Sequence, residues 1–197
     1  ASDYKIALGY RSGRYESTLG NAYVTTIGRE AGYNSNGQKN NAIGYQSLYN
    51  NTGQHVNAIG TAVGFNNTGD SLTGMGYHAG YNNKGTNNFA IGNYSLRDQR
   101  GNGSLIYVIG YQGARYDSTD GQAYLNGIGT NVFYLNKGTH INGFGNNTGY
   151  RNKGDYNTFY GSAAGQENRG SYSNMIGYQA GLNHNGTNNT GIGMYAL

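Results

Sequence analysis

An apolar residue followed by glycine recurs along the whole chain at an almost constant interval. Twelve such pairs keep a common register, and eight of the eleven intervals between them are 16 residues. A short period kept over the chain is typical of small equivalent coils stacked on one another, whereas a globule with one central core has no reason to keep it. The pairs begin at Leu8, Ile27, Ile43, Ile59, Met75, Ile91, Ile109, Ile128, Phe144, Tyr160, Ile176 and Ile192.

The coil from Asn41 to Val56 shows what one repeat contains. Alternation in its first three residues, and again across Tyr45–Tyr49, predicts two short strands. Gly44 and the Asn-Asn-Thr-Gly sequence ending at Gly53 predict the bends between them. Helix is disfavoured, because two glycines fall in each coil and the apolar positions lack i, i+3, i+4 spacing. We therefore predict an all-β fold, a parallel β-roll or β-solenoid of about 12 stacked 16-residue coils.

The third position of each coil, counted from two residues before the glycine, is always large and apolar. We expect this position to point inward and to form the core. One such residue per coil makes a thin core, so at least one further face is expected to pack against a sister chain in a homo-oligomer. The predicted core residues are Ile27, Ile43, Ile59, Met75, Ile91, Ile109, Ile128, Phe144, Ile176 and Ile192.

Composition excludes several classes of function. The net charge of +4 is small and the 13 basic residues are scattered in sequence, which argues against a nucleic-acid partner. The chain has no cysteine, so it can form neither disulfides nor thiolate sites. No stretch approaches the roughly 20 apolar residues of a membrane helix, so we expect no membrane insertion by this segment. The absence of proline suits continuous backbone ladders.

Two segments carry a resemblance to known fibrous proteins: Asn41-Ala42-Ile43-Gly44-Tyr45-Gln46-Ser47-Leu48 and Ile176-Gly177-Tyr178-Gln179-Ala180-Gly181. The chain resembles the head repeats of trimeric autotransporter adhesins of the YadA type. It equally resembles the Ala-Ile-Gly-Tyr-Gln repeats of phage tail fibres. The resemblance covers the whole chain and implies a left-handed roll, a homotrimer and a role in attachment. The adhesin repeat is shorter than the 16 residues found here, so longer turns are expected.

We interpret residues 1–197 as a single repeat domain that is a segment of a longer fibrous protein, with extended turns at 14–21, 97–104 and 115–122. Insertions in repeat proteins fall on loops of one face, often the binding face. The second and third of these turns belong to adjacent coils and should touch, which predicts a ligand or ion site. The alternative is a solvated surface bulge. The candidate ligand-binding residues are Asp98, Arg100, Arg115, Tyr116, Asp117 and Asp120.

Tyrosines at the fifth and ninth coil positions have two interpretations. Tyr45 and Tyr77 at the fifth position, and Tyr49 and Tyr81 at the ninth, could stack on sugar rings as ligand-binding residues. They could equally pack between coils or between chains. The paired asparagines are expected to be stacked turn residues whose side-chain amides form ladders. These pairs are Asn50-Asn51, Asn66-Asn67, Asn82-Asn83 and Asn146-Asn147.

No residue pattern indicates catalysis, a cofactor or a metal. The four histidines fall at three different coil positions, and no serine or carboxylate pair has catalytic spacing. We expect a non-enzymatic, structural and adhesive segment of an extracellular fibre, on a bacterial surface or a virion, that contacts a host-surface glycan or protein multivalently. The alternative is a monomeric glycan- or ice-binding β-solenoid. Irregular threonine spacing disfavours ice, and the absence of an acidic cluster disfavours a polysaccharide-degrading β-helix.

Overall fold

The computed structural model describes residues 4–14, 23–119 and 122–197. Its strands form one 12-stranded sheet in chain order, and all eleven neighbouring pairs are parallel. The predicted all-β solenoid is confirmed, with about eleven turns. The strands are β1 (Tyr4–Leu8), β2 (Tyr23–Ile27), β3 (Asn41–Ile43), β4 (Asn57–Thr61), β5 (Thr73–Tyr77), β6 (Phe89–Ile91), β7 (Ser104–Ile109), β8 (Gln122–Ile128), β9 (Ile141–Phe144), β10 (Thr158–Tyr160), β11 (Asn174–Ile176) and β12 (Thr190–Ile192).

Equivalent positions of successive coils lie directly over one another. Ala42 pairs with Ala58 and Ile43 with Ile59 across β3 and β4, which is a shift of one 16-residue period. The glycine that follows is required for two reasons. Gly44 has φ of +128°, and a Cβ there would overlap the carbonyl oxygen of Gly60 in the next coil. Any side chain at this position would therefore prevent the coils from stacking.

Each coil contains one strand, so the expectation of a second strand across Tyr45–Tyr49 is wrong. Gln46, Leu48 and Asn50 all have left-handed backbone conformations, with φ of 53–54°, so the chain cannot extend there. Hydrogen bonding between coils nevertheless continues. Gln46 N–H donates to Arg29 O of the previous coil at 3.0 Å, and Leu48 N–H donates to Val63 O of the next coil at 2.9 Å. The alternating pattern resembled a strand because the left-handed conformations here fall on residues other than glycine. Such residues give no sign of that conformation in the sequence.

The predicted core is also wrong for the single chain. In β3, Ala42 is fully buried while Ile43 is 39% exposed, because successive side chains of a strand point to opposite faces. Every third-position residue of the predicted core lies on this outer face, half-buried or exposed. These residues are Ile27, Ile43, Ile59, Met75, Ile91, Ile109, Ile128, Phe144, Ile176 and Ile192.

The interior is instead built from the second, seventh, eighth and sixteenth coil positions. Its larger side chains, such as Val56, Leu72 and Ile141, are fully buried. The interior is narrow at the eighth position, where Leu48 and Phe133 each pack against a glycine of the next coil. A Cβ on Gly149 would lie 2.9 Å from Cδ1 of Phe133, so glycine is needed beside that ring. The core is therefore formed by side chains of complementary size from adjacent coils, and not by the third-position residues that the repeat predicts.

The return turn contains the predicted amide ladder. Asn67 Nδ2 donates to Asn51 Oδ1 and Asn83 Nδ2 donates to Asn67 Oδ1, each at 2.7 Å, with all three side chains buried. A second, exposed ladder links the preceding asparagines; in it, Asn66 Nδ2 donates to Asn82 Oδ1 at 3.2 Å. Ladder formation at these pairs is confirmed. The fourth predicted pair, at 146–147, follows a strand directly rather than lying in a return turn, and there Asn147 Oδ1 accepts from Asn131 at 3.0 Å.

Candidate binding surfaces

A groove of about 410 Å³ lies beside the extended turn at 97–104. It brings together Asp98, Arg100 and Tyr116, three of the predicted ligand-binding residues, from two adjacent coils. The prediction that the extended turns of these coils meet is confirmed for the described residues. Five further polar side chains line the groove, three with amides, one with a hydroxyl and one with a lysine amine. These are Asn66, Thr68, Asn82, Lys84 and Gln99.

Gln99 explains how the coil accommodates its two extra residues. It occupies the position of the buried ladder asparagines but has a longer side chain, which spans the lengthened turn. Its Nε2 donates to Gly103 O at 2.6 Å, and its Oε1 accepts from the backbone N–H of Gly85 at 3.0 Å. The side chain is almost fully buried, so it holds the floor of the groove rather than presenting a free group.

The charged groups of the groove are held in place by neighbouring side chains. Asp98 accepts from Asn82 Nδ2 at 2.9 Å and lies 3.1 Å from Arg97 Nε. The guanidinium groups of Arg100 and Arg115 lie over the ring of Tyr116, at 5.0 and 4.6 Å from its centroid. Cations over an aromatic ring are attracted by its quadrupole, which fixes all three side chains. The groove therefore offers an amide-rich polar surface with an excess of positive charge.

Asp117 and Asp120 do not contribute to this groove among the described residues. Asp117 is buried in the ladder, where its Oδ1 accepts from Asn136 Nδ2 at 3.1 Å and its Oδ2 accepts from the hydroxyl of Thr119. It is a structural carboxylate rather than a ligand-facing one. Asp120 lies outside the described residues, as does most of the predicted extended turn at 14–21.

The tyrosines at the ninth position form a continuous stack. The rings of Tyr33, Tyr49, Phe65 and Tyr81 lie 4.9–5.0 Å apart with interplanar angles of 10° or less. Arg97 covers the next face of this stack, 5.3 Å from the centroid of Tyr81. The ring faces of Tyr49 and Tyr81 are therefore occupied by neighbours, which supports packing between coils rather than stacking on a sugar.

The fifth-position tyrosines are exposed and do not form such a stack. Tyr45 has Arg29 over its ring at 5.7 Å, and Tyr77 stacks on the imidazole of His78 at 4.1 Å. Burial lowers the pKa of His78 below 6.5, and Arg97 lowers it further, while Asp98 opposes the shift. The described residues contain no group of three or more histidines and acidic residues that could hold a metal ion.

Two surfaces were not found by sequence reasoning. The first is the apolar stripe, which we define as the outward third-position residues from Leu8 to Ile192. It includes an apolar hollow of about 230 Å³ lined by Ile109, Ile128 and Phe144 among others. The second is an exposed aromatic ladder at the fifteenth position, in which Tyr156 and Tyr172 stack 4.9 Å apart. The 16-residue spacing of Tyr124, His140, Tyr156 and Tyr172 was the available signal for this ladder.

Comparison with known proteins identifies no relatives: no family model matches the chain, and no curated protein or solved structure matches it. Across residues 4–14, 23–119 and 122–197, there is no helix with the length and hydropathy needed to cross a bilayer.

Proposed function

We propose that this chain is a non-enzymatic structural and adhesive segment of an extracellular fibre, from a bacterial surface or a virion, and that it functions as a homotrimer. The observation that supports this is the apolar stripe, which runs along the outer face of the whole sheet. Ile59 is 43% exposed and Met75 is 40% exposed, although both are large and apolar. Contiguous apolar surface of this kind marks an interface in soluble proteins.

Covering the stripe would provide a substantial driving force for association. An isoleucine that is 40% exposed leaves about 0.6–1.2 kcal/mol of burial unrealised, if full burial contributes about 1.5–3 kcal/mol. Summed over the twelve third-position residues, this is on the order of 10 kcal/mol per chain. The number of chains and the left-handed winding are part of the proposal and are supported by the resemblance to adhesin and tail-fibre repeats.

Attachment would follow from repetition. A rod of equivalent coils presents similar side chains at a regular spacing, and three associated rods present each of them three times. Weak contacts to a cell-surface glycan or protein then combine by effective concentration, without any single strong site. The polar groove around Arg100 and Tyr116 is a candidate for one such contact. The same groove is the observation that favours the alternative, a monomeric glycan-binding solenoid.

Mass measurement in solution tests the proposal. We expect a species of three times the 21.1 kDa chain mass by sedimentation equilibrium. The double variant Ile43→Asn/Ile59→Asn should dissociate it, and the fold should survive, since exposed asparagines already form a ladder on the same sheet face, with Asn41 Nδ2 donating to Asn57 Oδ1 at 2.8 Å. A monomer at micromolar concentration for the parent chain would contradict the fibre and support the monomeric module.

The matched control places the same number of asparagines away from the stripe. Thr52 and His55 are exposed, and their coil positions carry asparagine elsewhere, at Asn36 and Asn87. The double variant Thr52→Asn/His55→Asn should keep the mass of the parent. If both double variants dissociate equally, the stripe is not the interface.

A further inference from the structure

Five basic residues that are scattered in sequence lie in one row on the surface. All of them occupy the twelfth position of their coils, on the return turn, and all are exposed. Ser118 occupies this position in the one intervening coil. We define the basic row as Lys84, Arg100, Lys137, Lys153 and Arg169.

Backbone hydrogen bonds establish that the row is aligned. Lys137 N–H donates to Asn152 O at 2.9 Å, Lys153 N–H donates to Asn168 O at 2.8 Å, and Arg100 N–H donates to Asp117 O at 2.7 Å. Each of these three residues is thereby fixed at the same place relative to the coil that follows. Successive members lie one coil apart, which is about 4.8 Å, except that the coil of Ser118 separates Arg100 from Lys137.

Shallow grooves lie at both ends of the row. Lys84 and Arg100 line the groove of about 410 Å³ described above. Lys153 and Arg169 line another of about 220 Å³, together with Arg151 and Glu167. Four of the five members of the row therefore line grooves rather than standing as isolated tips.

The acidic side chains nearest the row have other partners. Asp98 lies 3.1 Å from Arg97 Nε, and Glu167 lies 3.5 Å from Arg151. Asp155 accepts from the backbone N–H of Thr139 at 2.7 Å. In the part of the chain that the structure describes, no ion pair involves Lys137, Lys153 or Arg169. Three like charges on consecutive coils repel one another, so a bound anion of similar spacing would stabilise them.

We propose that the basic row binds a linear acidic polysaccharide laid along the rod. Such a chain carries its carboxylates at the regular interval of its sugar units, which suits one cation per coil. Asp98, Glu167 and the amide of Asn66 beside the row can accept or donate hydrogen bonds to sugar hydroxyls. This inference deepens the proposed attachment function and rests on it for its biological setting.

A nucleic acid fits these groups less well. Single-stranded nucleic acids are usually held by open aromatic faces on which bases stack. The aromatic ring of the larger groove, Tyr116, already has the guanidinium groups of Arg100 and Arg115 over it. We therefore favour the polysaccharide and treat a nucleic acid as an outcome of the test.

Binding titrations of the full chain at low ionic strength test the proposal, with polygalacturonate, neutral dextran and oligothymidylate as the probes. We expect polygalacturonate alone to bind, and its affinity to fall as salt is added, because exposed charges are screened. The triple variant Lys137→Gln/Lys153→Gln/Arg169→Gln should lower that affinity by about tenfold or more. Neutral polar residues already occupy this coil position at Thr52 and Thr68, so the variant should fold.

The control variant, Lys5→Gln/Arg29→Gln/Lys39→Gln, also lowers the net charge from +4 to +1 but lies off the row. It should change the affinity for polygalacturonate by less than about twofold. Equal losses in the two variants would overturn the proposal, as would binding of dextran or stronger binding of oligothymidylate. Solution mass is measured in parallel. A trimer that does not bind polygalacturonate overturns the basic row alone, whereas a monomer that binds it overturns the fibre and leaves the row.

Discussion

Leu48 extends into the space left by Gly64 of the next coil. A Cβ on Gly64 would lie 2.6 Å from Cδ2 of Leu48, closer than two carbon atoms can approach. Leu48 is fully buried, so neither residue can give way toward solvent. The contact shows how the narrow interior is filled. The large side chain of Leu48 fits because the next coil has glycine at the same position.

The two positions should therefore be energetically coupled. Leu48→Ala should lower the unfolding free energy by about 2–5 kcal/mol through the cavity it leaves. Gly64→Ala should cost about 1–3 kcal/mol through overpacking. Its φ of +61° is tolerable for alanine, since Ala114 has φ of 47° at the same coil position. In the double variant the new methyl group occupies the cavity, so the loss should be smaller than the sum by about 1 kcal/mol or more.

Urea unfolding measures these free energies. All variants are compared at one protein concentration, because association between chains would make the measured stability depend on concentration. Gly64→Ala combined with Val56→Ala, a buried substitution outside this contact, serves as the control and should be additive. Additive losses for Leu48→Ala and Gly64→Ala would show that the two coils adjust independently.

The buried and exposed amide ladders should respond differently to the same substitution. Asn67→Asp removes the donors to Asn51 Oδ1 and Gly69 O, both at 2.7 Å, and places a carboxylate among buried acceptors. We expect a loss of about 3 kcal/mol or more in unfolding free energy near neutral pH. Asn66→Asp removes one exposed bond of 3.2 Å and should cost less than about 1 kcal/mol.

The chain itself contains a buried aspartate in this ladder, at Asp117. There the glycine of the turn is replaced by Thr119, whose hydroxyl donates to the carboxylate. Asn67→Asp combined with Gly69→Thr would not reproduce this arrangement, because a side chain at Gly69 would overlap Gly85 O of the next coil. Equal effects of the aspartate at 66 and 67, measured by urea unfolding, would show that burial of the ladder does not matter.

The period and the stacking were predictable because they follow from spacing. An apolar-glycine pair every 16 residues predicts coils whose equivalent positions lie over one another, and Ile43 does lie over Ile59. The direction of those side chains was not predictable in the same way. An apolar residue at a fixed position indicates burial, but burial inside a coil and burial between chains leave the same pattern in one sequence. Ala42 is a buried core residue, but its side chain is too small to stand out in the sequence as one.

The candidate site was predictable in part, for a similar reason. Adjacent insertions must meet when coils stack, so Asp98, Arg100 and Tyr116 could be placed together from spacing alone. The same spacing did not reveal that Asp117 points inward, because the ladder position is occupied by asparagine in only six of the coils. Alignment of the basic row was present in the sequence, at the twelfth position, but is visible only once the inserted residues of the longer coils are set aside.

His78 should make stability depend on pH. Its ring stacks between Tyr77 and Tyr81, at 4.1 and 5.0 Å, and burial and then Arg97 lower its pKa below 6.5, against the opposing charge of Asp98. The unfolded chain therefore binds the proton more readily than the folded one. The stabilisation is fully present above about pH 6.5 and is lost as the pH falls through the folded-state pKa.

The variant His78→Gln isolates this effect from the other titrating groups. Glutamine occupies the same coil position with left-handed φ at Gln46 and Gln179, so the backbone should tolerate it. Between about pH 7.5 and about pH 5, the variant should lose less unfolding free energy in urea than the parent does. A histidine pKa followed by NMR should fall below 6.5 in the parent and be missing from the variant. Equal losses in the two proteins, or a pKa for His78 above 6.5, would show that the ring is not desolvated between its two tyrosines.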